Sequence, residues 1–397
     1  MMPTYSFAKR VEKLSYSSSM AAMRKNRELR KNGIKVHDFG SKFDTPQHIK
    51  AAAVQYLESP AASLYADSRG LQEFRLAIAR KLLRENALLV DPETEITVSP
   101  GGKQGILTTL LALVDRGDEV LVEDPGWFAF EPMVRISGAK PVPLPLREQD
   151  GFRFSMDDLV KRITPRTKML ILCNPHNPTG RVFDRVDLEA IAKVAIEHNL
   201  LVLMDEAYEH FLFDGLPHIS LATLDGMRDR TITIQTASKT FNMFGWRVGW
   251  IVAPAAISEK IQLITSHSFS CVTSFAQAGA AAALDGDIVQ GKFGIAELVK
   301  GYQEQRDAFM AGLRDMPGVS CVAPRGAYFV FPRFKGFHLT SLQLSQQMMQ
   351  QAHVSGQPGS AFGKRGENHM RFVFNAPVQE ILEGLEKLGA FLKTVRS

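Results

Sequence analysis

The sequence predicts an α/β fold: a large domain built on a mostly parallel sheet, joined to a smaller α+β domain. Three observations carry that prediction. From about residue 90, short β-rich runs alternate with stretches of helical period. The runs are continuously apolar, as strands are when helices cover both faces of a parallel sheet. After about residue 285 the alternation gives way to a long charged helix, short strands and a closing helix. At 397 residues the chain also exceeds one ordinary hydrophobic core.

In chain order, the first ~45 residues are too few for a core of their own and are expected to join the small domain. That places the large domain at 46–285 and the small domain at 1–45 with 286–397. The predicted strands of the sheet are EITVSP (95–100), EVLVEDP (119–125), TKMLILCN (167–174), LLVLMDEA (200–207), TITIQTAS (231–238) and VGWIVAP (248–254). Between them lie helices such as the one that aligns Leu188, Ile191, Ala192 and Ala195 on one face before Asn199 ends it. In the last third, AELVKGYQEQRDAFMAGLRDM predicts a long helix, and VSCVAP, GAYFVFP and HMRFVFN predict strands. The stripe Ile381, Leu385, Leu388, Leu392 marks a closing helix with a core face.

The composition, 45% hydrophobic and 22% charged, is that of a soluble globular protein. A net charge of +5 is modest, and its densest run, Arg24 to Lys35, reads as a solvated helix face, so no nucleic-acid partner is expected. Cys173, Cys271 and Cys321 are odd in number and lack CxxC spacing, which argues against a disulfide framework or zinc site and for a reducing compartment. The N-terminus has no apolar signal core, and no run approaches the ~18 apolar residues of a membrane span. A cytoplasmic protein without a membrane partner is expected.

Ligands of open α/β sheets sit beyond the carboxyl ends of the strands, and four polar clusters fall there. SPGGKQ (Ser99–Gln104) puts a glycine pair at a strand-to-helix junction, either an anion cradle or a tight turn. NPHNPTG (Asn174–Gly180) stops a buried strand with two Asn-Pro steps and projects the amides of Asn174 and Asn177. DEAY (Asp205–Tyr208) closes an apolar run with a carboxylate that needs a partner, either a protonated heterocyclic nitrogen or a structural cation. TASKTFNMFGWRVG (Thr236–Gly249) sets Lys239 among small and apolar groups, where desolvation favours the neutral, nucleophilic amine. Eight residues on, Arg247 between Gly245 and Gly249 offers a planar fork suited to phosphate.

Together these segments resemble the class I/II aminotransferases, the fold-type-I pyridoxal-phosphate enzymes of the aspartate aminotransferase group. The signature SKxxxxxGxRxG stands as Ser238-Lys239 through Gly245-Trp246-Arg247-Val248-Gly249, with NPxNPTG and DEAY before it, and the resemblance covers nearly the whole chain. It implies a seven-stranded-type sheet in a pyridoxal-phosphate-binding large domain. Lys239 resembles the lysine that carries the cofactor as a Schiff base, and Asp205 the carboxylate that keeps the ring nitrogen protonated. Tyr208 and Asn177 are similar to donors at the ring 3-oxygen. Gly102, Lys103, Thr236, Ser238 and Arg247 match positions that cradle the phosphate, with Gln104 beside them on the cofactor. Trp127, in EDPGW, matches the aromatic stacked over the ring. Arg371 resembles the arginine that takes the substrate α-carboxylate. Tyr65 matches a tyrosine that reaches the neighbouring subunit's phosphate, which implies a homodimer with shared sites. His176, His210 and His267 lack metal-ligand spacing and read as ordinary polar residues, and no metal is expected.

The segment DFGSKFDTP (38–46) is one residue shorter than the family's usual pattern and lacks its first proline. Gly40 is the candidate for the glycine that covers the substrate. No arginine for a second carboxylate is found in 266–277. Lys103 matches a lysine that contacts a distal carboxylate in one subgroup, whereas Phe128 and Phe130 suit an aromatic or aliphatic side chain. The resemblance implies ping-pong transamination between an L-amino acid and a 2-oxo acid, with Lys239 moving the proton. The alternative is a lyase or cyclase of the same fold, such as an aminocyclopropane-carboxylate synthase or a β/γ-eliminating enzyme. A regulator reusing this fold would carry an N-terminal helix-turn-helix domain, for which the 64 residues before Tyr65 are too few.

Overall fold

Apolar runs flanked by Asn, Gly and Pro pair into one seven-stranded sheet. Its strands are β1 Ile96–Ser99, β2 Glu119–Asp124, β3 Lys140–Pro145, β4 Thr167–Cys173, β5 Leu201–Asp205, β6 Thr231–Thr236 and β7 Gly249–Val252. The structure, a computed structural model, describes residues 5–12, 14, 18–40, 43–285 and 294–395. In space the strands run β1-β7-β6-β5-β4-β2-β3. β2, β3, β4, β5 and β6 pair in parallel, while β7 runs antiparallel between β6 and β1. The mostly parallel sheet and all six predicted strands are therefore present.

β3 was not among them, for a reason visible in its residues. KPVPLP places Pro141, Pro143 and Pro145 two apart, so three missing N–H donors lie on one side of the strand. β3 is an edge strand bonded only to β2, and the side away from β2 has no ladder to complete.

Side chains alternate between two cores. Val120, Val122, Ile171 and Leu203 face one, which they share with Ile106 and Leu110 of the helix Gly102–Leu113 and with the C-terminal third. Leu121, Leu170, Val202 and Met204 face the other, covered by the helix Arg185–Glu197 through Leu188, Ile191, Ala192 and Ala195. Asp184 and Asp187 close the start of that helix as a capping box, and Asn199 ends it with φ 49°.

In the C-terminal third, the helix Ile295–Arg314 packs against the closing helix Val378–Val395, whose Ile381, Leu385, Leu388 and Leu392 are all buried. Short antiparallel strands complete it: β8 Val319–Ser320 pairs with β10 Arg333–Phe334, and β12 Met370–Val373 lies between β9 Phe329–Val330 and β11 Gln357–Pro358. Phe39, fully buried, packs edge-on against Phe309 and Phe372 and ties the N-terminal segment to this layer. The expected boundary at 285/286 meets residues 286–293, which lie outside the described residues. Among the described residues no helix is long and apolar enough to cross a membrane.

Candidate active site

The glycines of SPGGKQ and of GWRVG let two backbones meet. Gly101 caps the helix Gly102–Leu113 at φ 80°, a left-handed angle that favours glycine, and a Cβ there would stand 2.4 Å from Arg247 Nη2. A Cβ on Gly249 would lie within 2.9 Å of Gln235 O, Gly102 N and Gly101 C. Arg247 donates from Nη1 to Phe244 O at 3.0 Å and from Nη2 to Pro100 O at 3.2 Å, which lays its guanidinium against the helix start. Thr236 Oγ1 lies 3.0 Å from both Ser238 Oγ and Val248 O. First-turn N–H groups without a side-chain cap, a guanidinium and two hydroxyls thus share one place, an arrangement suited to an anion. Gly249→Ala is expected to cost about 1–3 kcal/mol of stability by overpacking against backbone on three sides. A lowered urea midpoint would register it.

At the neighbouring strand ends a second group assembles. Asp205 ends β5 with 7% exposure and accepts from Ala207 N–H at 3.1 Å. Burial pushes its carboxyl up to about 6, and the Lys239 charge limits the rise. Lys239, half-buried after β6, has Nζ 5.5 Å from the Tyr208 ring centroid and 4.7 Å from that of Phe244. Burial first, then the Arg371 cation, lowers its amine to about 8, against the pull of Asp205. Such an amine is neutral in about one molecule in ten at pH 7, against roughly one in three thousand at its ordinary value.

Arg371, on β12, donates from Nη1 to Asn177 Oδ1 at 2.9 Å. Its guanidinium lies 4.5 Å from the Phe329 centroid and 4.9 Å from that of Phe362, and its Nε is buried without a hydrogen-bond partner among the described residues. Burial lowers its pKa to about 10. Tyr208 packs edge-on against Tyr328 and Phe329, and burial pushes its phenol well above the usual range. Trp127 stands edge-on to Phe130 at 5.2 Å, and Lys103 Nζ lies 5.2 Å from the Trp127 centroid and 5.4 Å from that of Phe128. Burial, then Arg247, lowers the Lys103 pKa.

The structure thus gathers Lys239, Asp205, Tyr208, Asn177, Arg371, Thr236, Ser238, Arg247, Gly102, Lys103 and Trp127 around the sheet's strand ends. Three expected residues stand apart. Gln104 turns its amide along its own helix, 3.4 Å from Thr108 Oγ1. Tyr65 is 90% exposed. Gly40 donates its N–H to Asp38 Oδ1 at 3.3 Å, and Ser41 and Lys42 after it lie outside the described residues. Sequence reading missed Tyr328, Phe329 and Phe362, which wall Tyr208 and Arg371. The runs GAYFVFP and GSAFG held the signal, but aromatic residues in an apolar strand read as core.

Two buried polar groups hold the strand-end loops. Glu123 accepts from Cys173 N at 3.0 Å and from Arg181 Nη2 at 2.7 Å, pinning the far side of NPHNPTG. His176 is wholly buried there, 2.7 Å from Thr179 Oγ1, with its pKa pushed well below the usual value. Behind DEAY, Lys81 is 1% exposed and donates to Glu209 Oε1 at 2.5 Å and to Asn86 Oδ1 at 2.7 Å. Gln235 Nε2 reaches both Glu206 and Glu209, and His210 bridges Glu85 to Thr240, the residue after Lys239. Glu206, Glu209 and His218 bring ligand atoms within 4.8 Å of one another, but the Lys81 ammonium already supplies the cation that Glu209 needs.

A mostly parallel α/β sheet with a lysine and a buried carboxylate at its strand ends, and a buried arginine beside them, suits an enzyme of amino-group chemistry. The chain belongs to the aminotransferase class I and II family, whose model matches residues 34–388. It is 41% identical over 351 residues to an aspartate aminotransferase of Pyrococcus abyssi, covering 88% of this chain and 89% of that one. It is 38% identical over 351 residues, with the same coverage, to aromatic-amino-acid aminotransferase 2 of Thermococcus litoralis. The solved aspartate aminotransferase of Thermus thermophilus with maleate superposes with a TM-score of 0.92 at 31% identity, covering 98% of this chain and 100% of that one. The protein is accordingly a transaminase of a pyridoxal-phosphate-dependent family, moving an amino group between an amino acid and a 2-oxo acid. These relatives do not favour the lyase or cyclase alternative.

Proposed function

We propose that Lys239, Asp205 and the cradle at Gly102 hold pyridoxal 5′-phosphate, and that both acidic and aromatic L-amino acids serve as donors. The observation that carries this reading is the meeting of the uncapped helix start at Gly102 with Arg247, Thr236 and Ser238, next in chain to Lys239, with the buried Asp205 carboxylate at the neighbouring strand end. The donor set fits the cofactor. The uncapped helix start with Arg247, Thr236 and Ser238 suits a phosphate dianion, and a buried carboxylate suits a protonated heterocyclic nitrogen. When bound, the cofactor supplies an aldehyde that condenses with amines and a ring that draws electrons from the substrate Cα–H bond.

The chain's own residues do the rest. Arg371 binds the α-carboxylate through its remaining donors, and the Phe329 and Phe362 rings fix its plane. Asn177 accepts from Arg371 on Oδ1, so its Nδ2, together with the Tyr208 hydroxyl, would serve as a donor to the cofactor ring. Asp205 holds a proton at the ring nitrogen. Lys239 would act as the general base and acid that takes up and returns the substrate Cα proton. Trp127 bounds the ring and excludes water. Lys103, set against Trp127 and Phe128, offers one cation beside two aromatic faces, which supports both donor classes.

The relatives' aspartate and aromatic specificities support the same pair. Tyr65 and Leu64, 90% and 70% exposed, support a homodimer in which Tyr65 completes the partner's site. The three cysteines form no disulfide, which supports a cytoplasmic setting. The division into a large domain at 46–285 and a small domain at 1–45 with 286–397 belongs to the same proposal.

The test is a half-reaction without oxo acid, run with aspartate, glutamate, phenylalanine and tyrosine in turn. Yellow absorbance should disappear with members of both classes and return on adding 2-oxoglutarate. Spontaneous return with release of ammonia would instead mean elimination, and loss with only one class would refute the dual specificity.

A further inference from the structure

The end of β2 touches the loop that carries Phe362, and this contact has a built geometry. Asp124, the last residue of β2, is half-buried and accepts the backbone N–H of Arg365 on Oδ1 at 3.1 Å. Two residues on, Gly126 donates its N–H to Phe362 O at 2.8 Å. Between the two contacts, Gly363 adopts φ 120°, and a Cβ there would stand 2.1 Å from Asp124 Oδ1. Only glycine therefore lets the carboxylate approach. The loop is closed at its base, where Gly359 donates to His369 O at 2.8 Å. It leaves β11, whose Gln357 is the register partner of Arg371, and it carries Phe362 to 4.9 Å from the Arg371 guanidinium. The other end of the contact leads within three residues to Trp127.

We infer that Asp124 and Gly363 form a latch between β2 and the 359–366 loop, making Asp124 a positioning residue that fixes Phe362, and through it Arg371, for the substrate carboxylate. This rests on the proposed role of Arg371. The latch joins the two walls of the site, Trp127 and Phe362, by backbone and carboxylate contacts that involve no reacting atom. Opening it leaves Lys239, Asp205 and the phosphate cradle untouched but frees Phe362 to leave the guanidinium face. Its loss falls on substrate binding, with cofactor attachment and proton transfer unchanged.

Asp124→Ala should raise KM for the amino donor about tenfold, the scale of one hydrogen bond to a charged acceptor, with kcat within about twofold. Asp124→Asn keeps an acceptor for the Arg365 N–H and should restore most of the affinity. Gly363→Ala, which displaces the carboxylate from the other side, should reproduce the Asp124→Ala effect, and the double variant should add little to either. Amide hydrogen exchange of the cofactor-free protein gives a readout independent of turnover: Asp124→Ala should speed exchange in residues 359–366 about tenfold. Unchanged KM and unchanged exchange in both single variants would overturn the latch. Faster exchange without a KM effect would overturn its role in binding. A wild-type chain that forms no coloured cofactor adduct would instead overturn the proposed function and leave the exchange prediction standing on its own.

Discussion

Lys239→Ala is expected to abolish the yellow cofactor absorbance and to lower turnover by at least about 10⁴-fold, since general acid–base transfer alone contributes ~10²–10⁴ and the covalent attachment is lost with it. Steady-state kinetics and the absorbance of dialysed protein are the measurements, and full activity in the variant would end the proposed mechanism. The loss should not come from unfolding. The amine's pKa falls from 10.5 in its ordinary state to about 8 in the fold, because burial and Arg371 disfavour its charge. A lysine with a depressed folded value costs stability wherever it is protonated in both states. The cost is therefore full below about pH 8 and fades as pH rises through the window up to 10.5. At neutral pH the alanine variant should unfold at an equal or higher denaturant concentration. Activity lost together with stability would point to a structural lysine.

What the residues disclosed and what they hid follow from the same physics. Strands buried on both faces, such as TKMLILC and LLVLM, are legible because no other element so apolar ends in Asn-Pro or Asp-Glu. β3 was illegible because three prolines argue against a strand until its place at the sheet edge is known. Lys239, Asp205 and Asn177 announced themselves by standing at or just after strand ends, where main-chain direction alone aims them at one region, and Arg247 by the glycines on either side of it before β7. Phe362 and Asp124 did not, because their meaning lies in contacts across 236 positions of chain, Gly126 with Phe362, and 241, Asp124 with Arg365. Tyr65 and Gly40 remain readings of the family resemblance, since one is 90% exposed and the other bonds Asp38.

Lys81 shows the hidden kind most sharply. In the sequence it sits in ARKLLREN and reads as one more charge on a helix, yet it is 1% exposed and paired with Glu209, 128 positions away. The pair ties the helix Gln72–Asn86 to the turn that holds Asp205 and Tyr208, and through Gln235 to β6, which leads to Lys239. Lys81→Met is expected to lower unfolding free energy by about 3–5 kcal/mol, the cost of leaving a buried charge without its partner. Urea denaturation measures it. Burial alone would raise the Glu209 carboxyl, but the Lys81 charge overrides it and holds it low. A carboxylate with a depressed folded value contributes stability above its ordinary titration range, and that contribution is lost as pH falls through the folded value. The wild type should therefore lose stability on acidification below about pH 4.5, the ordinary Glu value, and Lys81→Met should lose less over the same interval. Replacing both partners, as in Lys81→Met with Glu209→Leu, should recover part of the loss, because two apolar groups leave no charge stranded. Recovery stays partial, since Asn86 and Gln235 would each forfeit a hydrogen bond to Glu209. A single-variant loss below about 1 kcal/mol, in the range of a solvent-exposed pair, would show that water reaches this network and that the turn beneath Asp205 is held by packing alone.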